Sequence, residues 1–293
     1  MTTIKNYLSL IRFSHTIFAM PFAMIGFFLG ILKSGNHANG PANLALLFVL
    51  VVICMVSARS AAMAFNRYLD RHFDAKNPRT AIREIPAGII SANHALLFTI
   101  ISAGLFIAAC LLINRLCFLL SPIALFVILG YSFTKRFTPL CHLILGLGLS
   151  LAPIGAYLAV TGAFAILPVL FSLTVICWVS GFDIIYALQD EEFDKSLQLY
   201  SMPSWLGKSK ALRVSEALHL GSTLLVAAAG ITGGFGWWYW MGVAVFLGML
   251  IYQHAIVSPQ DLSRVNIAFM TANGIASVVF ALLVITDLIV HGQ

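Results

Sequence analysis

Charge is scarce in this 293-residue sequence: Lys, Arg, Asp and Glu together make up 10% of it, against about 25% in an ordinary soluble domain. Hydrophobic residues make up 60%, and the two figures together exclude a soluble globular protein. C-x-x-C pairs are absent. The five cysteines, Cys54, Cys110, Cys117, Cys141 and Cys177, lie in or beside apolar runs, so neither a zinc site nor a disulfide framework follows, and they read as small packing residues. The eight histidines, His15, His72 and His142 among them, lack ligand spacing and read as packing or hydrogen-bonding groups. The first apolar run lacks a clear small-x-small cleavage site, so with Lys5 and Arg12 ahead of it, it reads as a retained span rather than a signal peptide. The net charge of +6 does not imply nucleic acid as a partner, because in a chain this apolar the placement of Lys and Arg carries topology.

Apolar runs fall at 17–34, 44–64, 95–113, 116–131, 140–159, 164–186, 212–231, 237–256 and 267–290. Each is close to the roughly 20 residues that cross a bilayer as a helix. The expected fold is therefore all-α: a single polytopic membrane domain over 1–293 with nine transmembrane helices. Pro21, Pro122 and Pro153 are tolerable inside such helices, and Gly26 and Gly30 form a small-xxx-small packing face. Nine spans put the termini on opposite sides. Of the seventeen Lys and Arg, only Lys33 and Arg115 then fall away from the N-terminal side, which predicts a cytoplasmic N-terminus and an inner-membrane location. Trp237, Trp238, Tyr239 and Trp240 open the eighth span, where an interfacial aromatic belt is expected on the far side.

Two long loops, 65–94 and 187–211, face the cytoplasm and with Asp183 hold eight of the eleven acidic residues. If the second span continues helically, Asn66, Asp70 and Asp74 line one face at i, i+4, i+8. Asp190 and Asp194 repeat the spacing, Asp183 lies two turns back on about the same face, and Asp194 is expected nearer water than Asp190. A single such motif would read as a solvated loop salt-bridged to Arg67, Arg71 and Lys195. Two of them at matching membrane ends read instead as an oxygen-only site for Mg²⁺, which completes its shell with substrate phosphate. Arg59, Lys135 and Arg136 lie at membrane ends on the same side; a charge such as Arg59 near the end of an apolar run needs a partner or a route to water.

At these residues the chain resembles the UbiA family of intramembrane aromatic prenyltransferases. Asn66, Asp70 and Asp74 match its N-x-x-x-D-x-x-x-D motif, with Arg59 seven residues ahead and Arg79-Thr80, Arg83 and Pro86-Ala87-Gly88 following. Tyr186, Ala187, Asp190 and Asp194 match Y-A-x-x-D-x-x-x-D, and Tyr131 to Thr138 resembles the family's Y-x-x-x-K-R segment. Two departures are Arg67, where ubiquinone-pathway members commonly have Asp, and Gln198, where a glycine often follows the second motif. Ser201 keeps its place. The stretches Arg12 to Ala19 and Asp183 to Asp190 look more similar to the branch that prenylates a dihydroxynaphthoate on the alternative menaquinone route.

The resemblance implies a bundle around a central cavity capped by the two acidic loops. Asn66, Asp70, Asp74, Asp190 and Asp194 would hold Mg²⁺ and diphosphate, Arg59 and Lys135 would contact phosphate oxygens, Tyr186 would help bind substrate, and Arg136 would face the aromatic acid. The implied reaction is Mg²⁺-dependent transfer of a polyprenyl group from an allylic diphosphate to 4-hydroxybenzoate or a dihydroxynaphthoate in quinone biosynthesis. Asp183 and Asp74 are the candidate bases that restore aromaticity. A transporter of an anionic or lipid substrate is the alternative, though the acids cluster at one face rather than at the midplane where transporter sites lie. Prenyl length and oligomeric state are left open.

Overall fold

The structure is a computed structural model that describes residues 2–11, 18–33 and 44–291. Arg12, His15 and the last two residues, 292 and 293, lie outside them. After a short helix α1 (Thr2–Leu10), the apolar runs form α2 (Met20–Lys33), α3 (Leu44–Asp74), α4 (Ala92–Ile113), α5 (Arg115–Thr134), α6 (Cys141–Thr161) and α7 (Ile166–Ala187). Two short helices, α8 (Glu191–Ser196) and α9 (Met202–Leu206), then precede α10 (Lys208–Gly233), α11 (Trp237–Ile256) and α12 (Asn273–His291), the last entered through a π-helical turn at Ile267–Ala272. Eight of the helical segments are long and apolar enough to cross a membrane, and α2 is a shorter ninth. Among the described residues, each of the nine expected runs coincides with a helix.

Each long helix from α3 to α7 packs on the next, α7 packs on α10, and α10, α11 and α12 follow. The ring closes through α2, which packs on both α12 and α6. Glycine makes the second contact possible: a Cβ on Gly26 would fall 2.0 Å from the Pro153 carbonyl oxygen, and one on Gly30 would fall 2.8 Å from Val160 Cβ. The predicted small-xxx-small face is thus the α2–α6 seam. A single residue separates α4 from α5. Asn114 is extended (φ −164°), accepts from the Cys117 N–H at 2.8 Å and donates to the Leu158 carbonyl at 2.9 Å, so its side chain caps α5 and ties the break to α6.

At the N-terminus of α11 the aromatic cluster divides. Trp237, Trp238 and Trp240 are exposed as an interfacial belt requires, but Tyr239 is buried and donates its hydroxyl to the Val226 carbonyl. Asp287 of α12 accepts from the Gly236 and Tyr239 N–H groups at 2.8 and 3.3 Å, placing an anion on the positive end of α11.

On the opposite face, α3 continues past its apolar run to Asp74, as the i, i+4, i+8 spacing requires. The α7 run ends differently. Its helix stops at Ala187, a 3₁₀ turn covers Leu188–Asp190, and α8 begins at Glu191, so Asp190 and Asp194 are not one α-helical pair. The tighter turn changes the rotation per residue, yet both carboxylates still reach the same cavity. Gln198, just after α8, has φ +55°. That left-handed conformation accounts for the glycine common at this place in the family.

Candidate active site

The cap encloses a cavity of about 280 Å³ between α3, α5, α6, α7 and the segment after Asp190. Five carboxylates line it, those of Asp70, Asp74, Asp183, Asp190 and Asp194, together with five cations, Arg59, Arg67, Arg79, Arg83 and Lys135. The lining is balanced in charge, and four of the carboxylates face a cation from another part of the chain. Arg79 clamps Asp190 with two hydrogen bonds, Nε to Oδ1 at 3.2 Å and Nη2 to Oδ2 at 2.5 Å, while its Nη1 donates to the Tyr186 hydroxyl at 2.8 Å. Arg83 Nη1 donates to Asp74 Oδ1 at 2.6 Å, and Arg67 Nη1 lies 3.9 Å from Oδ2. Lys135 Nζ is 3.6 Å from Asp194, and Arg136 Nη2 is 3.3 Å from Asp70 and 3.0 Å from the Leu69 carbonyl. The local helical salt bridges considered from sequence are largely absent from this set; Arg71 donates to the Tyr68 carbonyl and Lys195 pairs with Glu191.

Burial penalises the charge on Arg79 and on Lys135, and the carboxylates more than offset it. Asp190 and the Tyr186 hydroxyl hold Arg79 above its ordinary value, and Asp194, Asp70 and Asp190 do so for Lys135. Both cations therefore stay protonated across the physiological range.

Asn66, Asp70, Asp74, Lys135, Asp183, Tyr186, Asp190 and Asp194 all line the cavity. Asn66 Nδ2 donates to Asp70 Oδ2 at 3.1 Å. Arg59 sits where this cavity meets a second one of about 370 Å³, which is almost wholly apolar, and with Met63, Tyr131, Leu145 and Leu149 it borders both. Its Nε is buried with no hydrogen-bond partner among the described residues. Arg136 is not among the lining residues; it packs behind Asp70 over the Phe73 and Phe133 rings. Asp194 is buried more deeply than Asp190, with side-chain exposures of 5% and 20%, the reverse of the order expected from the sequence.

No three His, Cys, Asp or Glu residues converge on one metal-sized point among the described residues. The donor set nonetheless fits a hard cation. Asp74 Oδ2 and Asp194 Oδ1 are buried without a hydrogen-bond partner among the described residues, their cations standing beyond hydrogen-bond reach, and the available donors are all oxygens.

Sequence reasoning assigned no role to Arg79, Arg83 or Asn77. Asn77 Nδ2 donates to Asp190 at 3.4 Å, and its Oδ1 accepts from the Arg79 N–H. Their proximity to the first motif was the available signal.

Comparison with known proteins decides the family. Residues 19–275 match the model of the UbiA prenyltransferase family. The chain belongs to the UbiA prenyltransferase family. It is 32% identical over 251 residues to the 4-hydroxybenzoate octaprenyltransferase of Nitrosospira multiformis, covering 84% of each chain, and 34% identical over 239 residues to that of Nitrosomonas europaea, covering 80% of each. Among solved structures, the apo form of a UbiA homologue from Aeropyrum pernix superposes with a TM-score of 0.79 at 29% identity, covering 95% of this chain and 98% of that one. A UbiA homologue from Archaeoglobus fulgidus, solved bound to GPP and Mg²⁺, shares the fold at a TM-score of 0.72 and 20% identity, over 97% and 99% of the chains. This UbiA protein is a multi-pass membrane prenyltransferase, which displaces the transport alternative.

Proposed function

We propose that this chain transfers a polyprenyl group from an allylic diphosphate to an aromatic hydroxy acid, 4-hydroxybenzoate or a dihydroxynaphthoate, for quinone biosynthesis at the cytoplasmic face of the inner membrane. The observation that carries this reading is the charge-balanced cavity, in which four carboxylates and their cations are already paired. A diphosphate entering with its metal exchanges those partners without leaving a buried charge uncompensated, which is otherwise costly. Arg79, Arg83 and Lys135 are placed to pair with phosphate oxygens, and Asp190, Asp74 and Asp194 would then be free to hold the metal. Arg59, at the junction with the apolar chamber, holds the phosphate nearest the prenyl carbon. When bound, Mg²⁺ would be held by Asp70, Asp74, Asp190 and Asp194 with Asn66, and would offset charge on the departing diphosphate.

The apolar chamber receives the tail, each buried CH₂ contributing about 0.8 kcal/mol, and keeps water away from the allylic cation. Half-exposed Arg136 offers the acceptor's carboxylate a planar cation. The relatives' names favour 4-hydroxybenzoate, whereas the Asp183 to Asp190 stretch favours a dihydroxynaphthoate. Purified protein supplied with geranyl diphosphate and Mg²⁺, and offered 4-hydroxybenzoate and 1,4-dihydroxynaphthoates in parallel, separates them by the mass of the product. Failure to prenylate any of these acids sinks the acidic-acceptor reading.

A further inference from the structure

Asp183 is the one carboxylate of the cavity with no guanidinium or ammonium partner among the described residues. Its Oδ2 meets His142 instead, 2.7 Å from Nδ1. The other ring nitrogen fixes the tautomer, because the Met202 backbone N–H donates to Nε2 at 3.2 Å. Nε2 therefore carries the lone pair and Nδ1 the hydrogen, so a neutral imidazole donates to Asp183. His142 is buried, and its ring is held at both nitrogens, by Asp183 and by the Met202 N–H. The Asp183 side chain opens onto the cavity. Beside it stands a wall of rings, with Phe269 centred 5.4 Å from Phe182 and 4.3 Å from Tyr186. A wall of tilted and edge-on rings beside a carboxylate suits an aromatic acceptor.

We propose that Asp183 is the base that takes the ring proton of the aromatic acceptor, and that His142 is the residue that positions it. The inference rests on the prenyl-transfer reading above. As the prenyl C1–O bond breaks, its electron pair leaves with diphosphate, and a π pair of the ring forms the new C–C bond. The C–H pair then returns to the ring while the proton passes to the Asp183 carboxylate, which later releases it to water. His142 keeps its Nδ1 hydrogen throughout. Asp74, the other candidate, is paired with Arg83 at 2.6 Å and would hold the metal once that partner turns to phosphate, whereas Asp183 has neither duty.

The test compares Asp183→Asn, His142→Gln and His142→Leu in the full-length protein, using whichever of the two acids the wild type prenylates, deuterated at the ring carbon that receives the prenyl group. Wild-type turnover of either acid tests the underlying reading; the variants test the base. Asp183→Asn should lower kcat about 100-fold with KM for geranyl diphosphate unchanged, and an isotope effect absent from the wild type should appear as proton loss becomes limiting. Mg²⁺-dependent release of diphosphate without acceptor should persist. His142→Leu should show the same isotope effect, whereas His142→Gln, which can donate to Asp183 and accept from Met202, should behave like the wild type. A lowered kcat in Asp183→Asn without an isotope effect, near-normal kcat in that variant, or loss of its diphosphate release would each overturn the proposal.

Discussion

Arg79 of the first acidic loop clamps Asp190 of the second with two hydrogen bonds, joining residues 111 positions apart in the chain. The same guanidinium reaches the Tyr186 hydroxyl, so one side chain ties the end of α7 to the turns that follow α3. The two motifs are thereby held in register.

Arg79→Lys is expected to retain part of the activity and Arg79→Ala to lose most of it, because lysine keeps the charge but cannot make the planar two-point contact. The loss should appear chiefly as a raised KM for the prenyl diphosphate in steady-state assays. Equal activity of the Lys and Ala variants would mean that the clamp's geometry is unimportant.

Asp70→Ala and Asp190→Ala are each expected to lower turnover by at least about 100-fold while the protein remains folded in membranes. EDTA should abolish wild-type turnover, and added Mg²⁺ should restore it. Near-normal turnover of both variants at saturating Mg²⁺ would remove the two-motif metal site.

How far these features can be read in the sequence depends on the distance over which each is determined. The face of α3 carrying Asn66, Asp70 and Asp74 follows from helical periodicity alone, and so does the Gly26–Gly30 seam, whose partner on α6 does not. The segment after Ala187 resists such reading, because a 3₁₀ turn and helices of 6 and 5 residues are too short to display a period. Local spacing pointed to Arg67, Arg71 and Lys195 as partners for the carboxylates, whereas Arg79, Arg83, Lys135 and Arg136 fill most of that role. Which cation meets which acid is settled by the packing of separate helices. The deeper burial of Asp194 has the same origin, since its partner Lys135 comes from the end of α5.

Gln198→Gly is expected to stabilise the protein. A side chain in the left-handed region at φ +55° costs on the order of 1 kcal/mol, and glycine removes that strain at some entropic cost in the unfolded chain. Thermal unfolding in detergent should shift upward by a few degrees with activity unchanged. A lower Tm would mean that the Gln198 side chain makes a contact worth more than the strain.

Reporters inserted at residues 75 and 195 are expected to lie in the cytoplasm, and one fused to the C-terminus on the opposite side, from the fifteen-to-two distribution of Lys and Arg. The one-residue break at Asn114 is the decisive point. If only one of α4 and α5 crosses, the C-terminal reporter will be cytoplasmic.

Arg59 and Arg136 should separate the two substrates. Arg59 is buried at the junction of the polar cavity and the apolar chamber with its Nε unpartnered among the described residues, which suits it to a phosphate next to the prenyl carbon. Arg136 is half-exposed behind Asp70, with one nitrogen shared between Asp70 and a carbonyl, so it can turn to a carboxylate arriving from the cytoplasm. Arg59→Ala should therefore raise KM for geranyl diphosphate far more than for the aromatic acid, and Arg136→Ala should do the reverse, since each variant deprives one substrate of its counterion. Arg136→Lys should recover part of the lost affinity. A neutral acceptor, 1,4-dihydroxynaphthalene, provides the control: its KM should be insensitive to Arg136→Ala. If Arg136→Ala instead raises KM for the diphosphate, Arg136 acts through Asp70 on the leaving group, and the acceptor's carboxylate is bound elsewhere.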